Sequence, residues 1–162
     1  MAYLLGPDFA QDFPHLTDDR ASITSPQSRQ YNCIAWAAGD MQNWWDITPR
    51  AVWPQGAPRT PDIESLKAAF RTLGYVECRD GSPRKNFRKV ALYARGNTWT
   101  HAARQLPDGG WTSKLGQHHD ISHTDTQAIE GPVYGNCNCF MELRIPSSSL
   151  LAKLFNWVRR RK

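Results

Sequence analysis

Two side chains of this sequence have the chemistry of a nucleophile and a base, and the first is Cys33 in YNCIAWAAG, residues 31–39. Asn32 suits the N-cap position, and the apolar residues after it follow a helical spacing, so a helix is predicted from Cys33 to about Trp44. The dipole and the free N–H groups of a helix start lower the pKa of a thiol placed there. Cys33 is therefore either an activated nucleophile or, as free cysteine commonly is, a buried packing residue.

The second is His101, which opens the predicted strand HAARQL, residues 101–106. The chain between Cys33 and His101 is long enough to fold this strand back across the start of the helix. An imidazole beside a thiol accepts the thiol proton and then passes it to the leaving group. The alternative is a half-buried imidazole held by ordinary hydrogen bonds.

A third group of polar side chains lies in the predicted long loop 116–138, whose length suggests a functional loop. Its candidate zinc donors are His118, His119, Asp120, His123, Cys137 and Cys139. No C-x₂-C or H-x₃-H frame is present, and the C-x-C pair is not a recognised zinc spacing. We therefore predict neither a metal nor another cofactor, with a zinc-stabilised interaction domain as the weaker alternative.

Aromatic side chains cluster around the end of the first predicted helix. They are Trp36, within that helix, and Trp44, Trp45 and Trp53, at and beyond its end in a proline-rich loop. Such indoles can wall a cleft for a peptide or sugar–peptide, so these four are the predicted substrate contacts. The alternative is a hydrophobic lid over the core.

Composition indicates one globular domain of 162 residues, with 40% hydrophobic and 22% charged content. The net charge is +5, and the tail RRRK at 159–162 supplies most of it, leaving a nearly neutral body. A basic groove and a nucleic-acid partner are therefore not expected, whereas the tail is suited to an anionic surface. The 4 cysteines are predicted to be free thiols.

The N-terminus has no basic region before its apolar residues, and no apolar run has the length of a membrane span. A cytoplasmic location is the default expectation, and leaderless export is compatible with the same features.

The pattern along the chain predicts an α+β domain over residues 31–146, preceded by an irregular arm, residues 1–30. A helix is predicted in TPDIESLKAAFRTLGY, capped by Thr60, with Pro61 in its first turn and Gly74 at its end. Alternating residues then predict an antiparallel sheet with strands at 75–78, 89–94, 101–106, 111–115 and 139–145, with PDGG as a hairpin turn. Residues 147–162 are predicted to form an amphipathic basic helix packed on the same domain.

These motifs resemble the papain-like cysteine hydrolase superfamily, above all its NlpC/P60-, CHAP- and transglutaminase-like branches. The resemblance covers about residues 27–120 and rests on a cysteine heading a helix and on HAARQLPDGGW, a histidine strand, a glycine turn and an aromatic strand. NCIAWA and HAARQ also resemble the motifs of a bacterial group within that superfamily. The implied fold is papain-like, with N-terminal helices packed on a small antiparallel sheet.

The resemblance makes Cys33 the nucleophile and His101 the general base, and it places Gln27 where an oxyanion-hole glutamine falls. These families orient the histidine with a polar residue on the next strand, which here reads WTSKL. Ser113 occupies that region without being a usual orienting residue. Asp120 is the candidate chosen for the role, and the alternatives are His123, Gln105 and Ser113.

The expected activity is cysteine-dependent hydrolysis of an amide bond by a peptidase, amidase or deamidase, in keeping with a bacterial effector or toxin. Its substrate would be a peptide, a protein or a peptidoglycan-type molecule, and a protein partner is possible. The rival expectation is a papain-like binding module without catalytic activity.

Overall fold

A computed structural model describes residues 7–146 of the protein. Its helices are α1 (Pro7–Asp12), α2 (Cys33–Ala38), α3 (Ile63–Thr72) and a 3-10 helix, Thr126–Ile129. Its strands are β1 (Ala21–Ile23), β2 (Val76–Cys78), β3 (Phe87–Arg95), β4 (Thr98–Gln105), β5 (Trp111–Lys114), β6 (Asp120–His123) and β7 (Asn136–Arg144). The predicted α+β class is thereby confirmed, while the predicted C-terminal helix, 147–162, lies outside the described residues.

All seven strands form one antiparallel sheet in the order β1-β6-β5-β4-β3-β7-β2. The five predicted strands are confirmed, and Leu106 N–H bonds to the Gly110 carbonyl at 2.7 Å to close the predicted hairpin between β4 and β5. Residues 89–94 of β3 are all buried, because both faces of the sheet are covered. None of the helices in the described part of the chain is long and apolar enough to cross a membrane.

Two hydrophobic clusters cover the two faces of the sheet. The helix-side cluster packs α2 and α3 on Val90, Leu92 and Ala102. The opposite-side cluster packs the N-terminal arm and the 3-10 helix on Ala91, Tyr93 and Ala103, among others. Successive residues of a strand point to opposite faces, so neighbours on β3 and β4 fall into different clusters.

Helix α2 is shorter than the sequence pattern predicts. Asn32 is its N-cap, as expected, and its side chain accepts from Ala35 N–H at 3.1 Å. The helix ends at Ala38, not near Trp44, because Gly39 adopts a left-handed conformation (φ 89°) that bonds back to the last turn. The prediction of a helix to Trp44 is wrong because apolar spacing continues past the residue that stops it.

Helix α3 begins later than predicted. Its N-cap is Asp62, not Thr60, and the Asp62 carboxylate accepts from Ser65 N–H at 2.9 Å. Pro61 therefore precedes the cap instead of occupying the first turn. Gly74 adopts a left-handed φ of 89° just after the last turn, which confirms the predicted end.

Two segments predicted to be irregular contain regular structure. The arm 1–30 includes α1 and β1, and the loop 116–138 includes β6 and the 3-10 helix. Strand β1 pairs with β6 over Ala21↔His123 to Ile23↔Ile121, so each segment supplies a partner for the other. Three- and four-residue strands lack the alternation that identifies longer ones, and only their pairing defines them.

Candidate active site

His101 is fully buried on β4 and belongs to a chain of hydrogen bonds between three strands or loops. Its Nε2 lies 3.0 Å from Ser113 Oγ on β5, and the same Oγ lies 3.0 Å from His123 Nε2 on β6. His123 Nδ1 lies 2.7 Å from the carbonyl oxygen of Asp125. We call His101, Ser113 and His123 the histidine relay.

The hydrogen-bonding capacity of these groups fixes the protons of the relay. The Asp125 carbonyl oxygen can only accept a hydrogen bond, so His123 Nδ1 must carry a proton. Burial lowers the pKa of His123 to about 4, so the ring is neutral and its Nε2 is an acceptor. Ser113 must then donate its single proton to His123 and accept from His101 Nε2–H. Burial holds the pKa of His101 well below its ordinary value, so its ring is neutral and Nδ1 bears a bare lone pair.

That lone pair has no partner: His101 Nδ1 is buried without a hydrogen bond to any described residue. The ring is held in place by stacking on Tyr134, with centroids 3.9 Å apart, and by an edge contact with Tyr93 at 5.5 Å. An unsatisfied buried acceptor is costly, and such groups in native proteins commonly have a chemical role.

Cys33 lies at the start of α2, with 8% of its surface exposed. Its thiol faces the backbone N–H of Ala102, the residue that follows His101 on β4. Burial raises the pKa of this thiol to about 11, against the lowering effect of the nearby N–H groups and of Lys114. The thiol is therefore protonated near neutral pH, so the helix start does not activate it in this state; a six-residue helix provides little dipole.

Cys33 and His101 are brought to the same stretch of β4 without a hydrogen bond between them. Strand β4 pairs with β5 only at Arg104↔Thr112 and Gln105↔Trp111, so the two strands separate toward His101. Cys33 belongs to the helix-side cluster, whereas the His101 ring stacks in the opposite-side cluster. The structure thus shows an uncharged thiol and an uncharged imidazole on either side of one strand.

Asp120 does not orient His101. Its Oδ2 accepts from the Tyr31 hydroxyl at 2.6 Å, and its Oδ1 lies 3.9 Å from Lys114 Nζ. The other alternative, Gln105, donates to the Gly81 carbonyl at 2.5 Å. The orienting residue is Ser113, backed by His123.

Lys114 is a buried cation beside the thiol. Its ammonium donates to the His118 carbonyl and lies 5.4 Å from the centre of the Tyr31 ring. Burial lowers the pKa of Lys114, while the charge of Asp120 acts to raise it, as a Cys33 thiolate would. Asp120 thus pairs with Lys114, a contact that the sequence does not predict because it depends on the pairing of β5 with β6.

The remaining predicted site residues do not form a cleft beside the thiol in the described structure. Gln27 is exposed on the segment where Ser28 N–H bonds the His118 carbonyl at 3.4 Å, and no hydrogen bond joins it to Cys33 in the described structure. Trp45 and Trp53 are buried in the helix-side cluster, so they pack the core instead of walling a cleft. Trp44 is half-buried.

Trp36 has a different setting from the loop tryptophans. It is half-buried, stacks on Tyr31 with centroids 5.6 Å apart, and carries the Arg104 guanidinium over its ring at 4.5 Å. Of the four predicted substrate contacts, Trp36 is the one that lies next to the Tyr31–Asp120–Lys114 cluster.

Within residues 7–146, no group of three or more His, Cys, Asp or Glu side chains is placed to hold a metal ion. His119 Nδ1 lies 2.9 Å from the Ser25 carbonyl, and His123 belongs to the relay. Cys137 and Cys139 pack against different clusters because the pairing of β3 with β7 shifts register between Leu92 and Tyr93, and all four cysteines are free thiols.

The chain belongs to the family described as a domain of unknown function (DUF7689), whose model matches residues 22–142. The match includes Cys33, His101, Lys114 and the whole relay. No curated protein and no solved structure matches the chain.

Proposed function

We propose that the protein is a papain-like cysteine hydrolase that cleaves an amide bond with Cys33 and His101. The observation that carries the proposal is the bare, buried lone pair of His101 Nδ1, whose tautomer the relay fixes. A general base needs such a nitrogen, and an orienting residue on the next strand is what the resemblance to the superfamily implies. Peptides, proteins and peptidoglycan-type amides are the proposed substrates, consistent with an effector or toxin.

The proposed reaction begins from the neutral pair. As Cys33 Sγ bonds to the carbonyl carbon, its proton passes to His101 Nδ1, and the carbonyl oxygen becomes an oxyanion. The proton then moves to the leaving nitrogen as the C–N bond breaks, and water, activated by the same Nδ1, hydrolyses the thioester. The imidazolium that forms in between is stabilised by its Nε2–H bond to Ser113.

Lys114 is the proposed source of positive charge for the oxyanion, together with the Cys33 backbone N–H. This role is supported by the charge of Lys114, which acts to lower the pKa of the Cys33 thiol. Because the thiol is buried and the His101 ring faces the other cluster, the reaction requires β4 and α2 to move relative to each other, and in the proposed mechanism this motion also takes place in the free protein.

The test measures the alkylation rate of Cys33 by iodoacetamide near neutral pH, located by mass spectrometry, in the wild type and in His101→Gln. If His101 Nδ1 accepts the thiol proton, the wild type reacts on the order of 100-fold faster than the variant, the lower end of general-base effects. A His15→Gln variant, altered at an exposed histidine, is the control and reacts as the wild type does. Equal rates in wild type and His101→Gln would refute the hydrolase.

A second candidate, a papain-like binding module without catalytic activity, is favoured by the burial of Cys33 and by its raised pKa. In that case Cys33 reacts only as its thiolate forms, with a rate that climbs steadily toward high pH and does not depend on His101.

A further inference from the structure

A cavity of about 680 Å³ lies on the far side of Arg104 from the thiol, between the 83–89 segment and the β4–β5 turn. Its lining includes five cationic residues, Arg84, Lys85, Arg88, Lys89 and Arg104, and no carboxylate. We call these five residues and the space between them the basic groove. Neither Cys33 nor His101 lines it, so its role is independent of the proposed catalysis.

Two of the five cations are already neutralised. Arg84 bonds Glu142 Oε1 at 2.5 Å, and Lys89 Nζ donates to the Asp80 carbonyl at 2.7 Å with Glu142 Oε2 at 3.8 Å. The contacts of Arg84 and Lys89 therefore connect the rim of the groove to β7 and to the segment after β2.

The other three cations have no anionic partner. Lys85 and Arg88 make no hydrogen bond or ion pair with any residue between 7 and 146, and the Arg104 guanidinium rests on Trp36 without a carboxylate within ion-pair distance. Burial lowers the pKa of Arg104 most, and the positive charge of Arg88 also lowers it, whereas Tyr75 and Asp120 act to raise it. Arg88 and Arg104 therefore repel each other, and a bound anion would offset this repulsion.

We propose that the basic groove binds a small ligand carrying two or more phosphate groups, with Arg88 and Arg104 as its principal contacts. Guanidinium groups bind phosphate oxygens through paired, charge-assisted hydrogen bonds, and Trp36 pre-orients the Arg104 plane for this. The volume is within the range of small-ligand sites. The net charge of the sequence does not reveal this groove, because acidic residues elsewhere on the surface offset its positive charge.

The test is calorimetric titration of the full chain with pyrophosphate at physiological salt. Saturable binding is expected, and Arg88→Gln and Arg104→Gln should each weaken it about tenfold or more. Arg50→Gln, which removes the same charge from an exposed site outside the groove, is expected to bind as the wild type does. Because Arg88 has no partner to lose, its variant keeps the test valid even if Arg104→Gln fails to fold.

The same titration is carried out with citrate and with a short DNA duplex as competing ligand classes. Citrate binding as tight as that of pyrophosphate would show a carboxylate site and overturn the phosphate assignment. Tighter binding of the duplex, lost in Arg88→Gln, would overturn the small-ligand assignment in favour of nucleic acid. Pyrophosphate binding that is absent, or equal in Arg88→Gln and Arg50→Gln, would remove the site altogether.

Discussion

At the scale of single residues, Ser113 determines which ring nitrogens of the two histidines carry protons, although it has no reactive role. Its hydroxyl lies 3.0 Å from a nitrogen of each histidine, so one oxygen satisfies two buried imidazoles. Only a group that donates once and accepts once fits between an Nε2–H and an Nε2 lone pair. An aspartate there would accept from one histidine and repel the lone pair of the other.

Ser113→Ala is expected to reduce the free energy of unfolding by about 1–3 kcal/mol, because it leaves two buried ring nitrogens without partners. Urea unfolding measures the difference. Ser122→Ala is the matched control, since Ser122 lies on β6 one position before His123 and is only half-buried; it should change stability by less than about 0.5 kcal/mol. Equal losses in the two variants would mean that the relay bonds add nothing to stability.

Sequence reasoning at this scale located the position of the orienting residue and mistook its identity. The rule that it lies on the strand after the histidine strand leads to WTSKL, where Ser113 was discounted in favour of the carboxylate of Asp120. A serine is weak as a lone partner, and it suffices here because His123 stands behind it. That support comes from β6, a strand with no sequence signal of its own.

At the scale of elements, the predictable features are those with local causes. Asn32 caps α2 and Gly74 ends α3 because cap chemistry lies within a few residues of the helix. The early end of α2 at Gly39 also has a local cause, whereas the pairing of β1 with β6 depends on contacts made elsewhere in the fold. The separation of β4 from β5 beyond Arg104 also depends on such contacts, because the pairing of two strands is not a local property.

The sequence also does not predict that the Cys33 thiol and the His101 ring lie on opposite sides of β4. His101 pairs with Tyr93 in the regular part of the β3–β4 register, so its ring lies on the same face as Tyr93, and the shift at Tyr93/Ala94 comes only after this pair. Which of the two faces meets α2 is set by packing between distant elements. The spacing of HAARQ alone predicts a strand without deciding which of its faces meets α2.

At the scale of the whole molecule, the buried histidines make folding depend on pH. The pKa of His123 falls from its ordinary 6.5 to about 4, and that of His101 also falls. Below about pH 6.5 these histidines are therefore protonated in the unfolded chain but not in the folded one. The free energy of unfolding is therefore greatest above that pH and decreases as the pH falls toward 4.

The expected loss of unfolding free energy is up to about 1.4 kcal/mol per pH unit for each histidine. Urea unfolding of the wild type at about pH 7 and about pH 5 measures it. His123→Gln should lose less on acidification than the wild type, whereas His15→Gln, at an exposed site, should lose as much. A wild type that is as stable at the lower pH as at the higher would show that the histidines are accessible and titrate normally.

The central claim is that His101 is a neutral imidazole with a bare Nδ1, and nitrogen NMR of the histidine side chains tests it most directly. In protein labelled with ¹⁵N, the shifts distinguish a protonated ring nitrogen from an unprotonated one. We expect Nε2 of His101 to be protonated and Nδ1 to be unprotonated, unchanged between about pH 8 and about pH 5. A proton on Nδ1, or titration near the ordinary histidine pKa, would contradict the relay and the mechanism built on it.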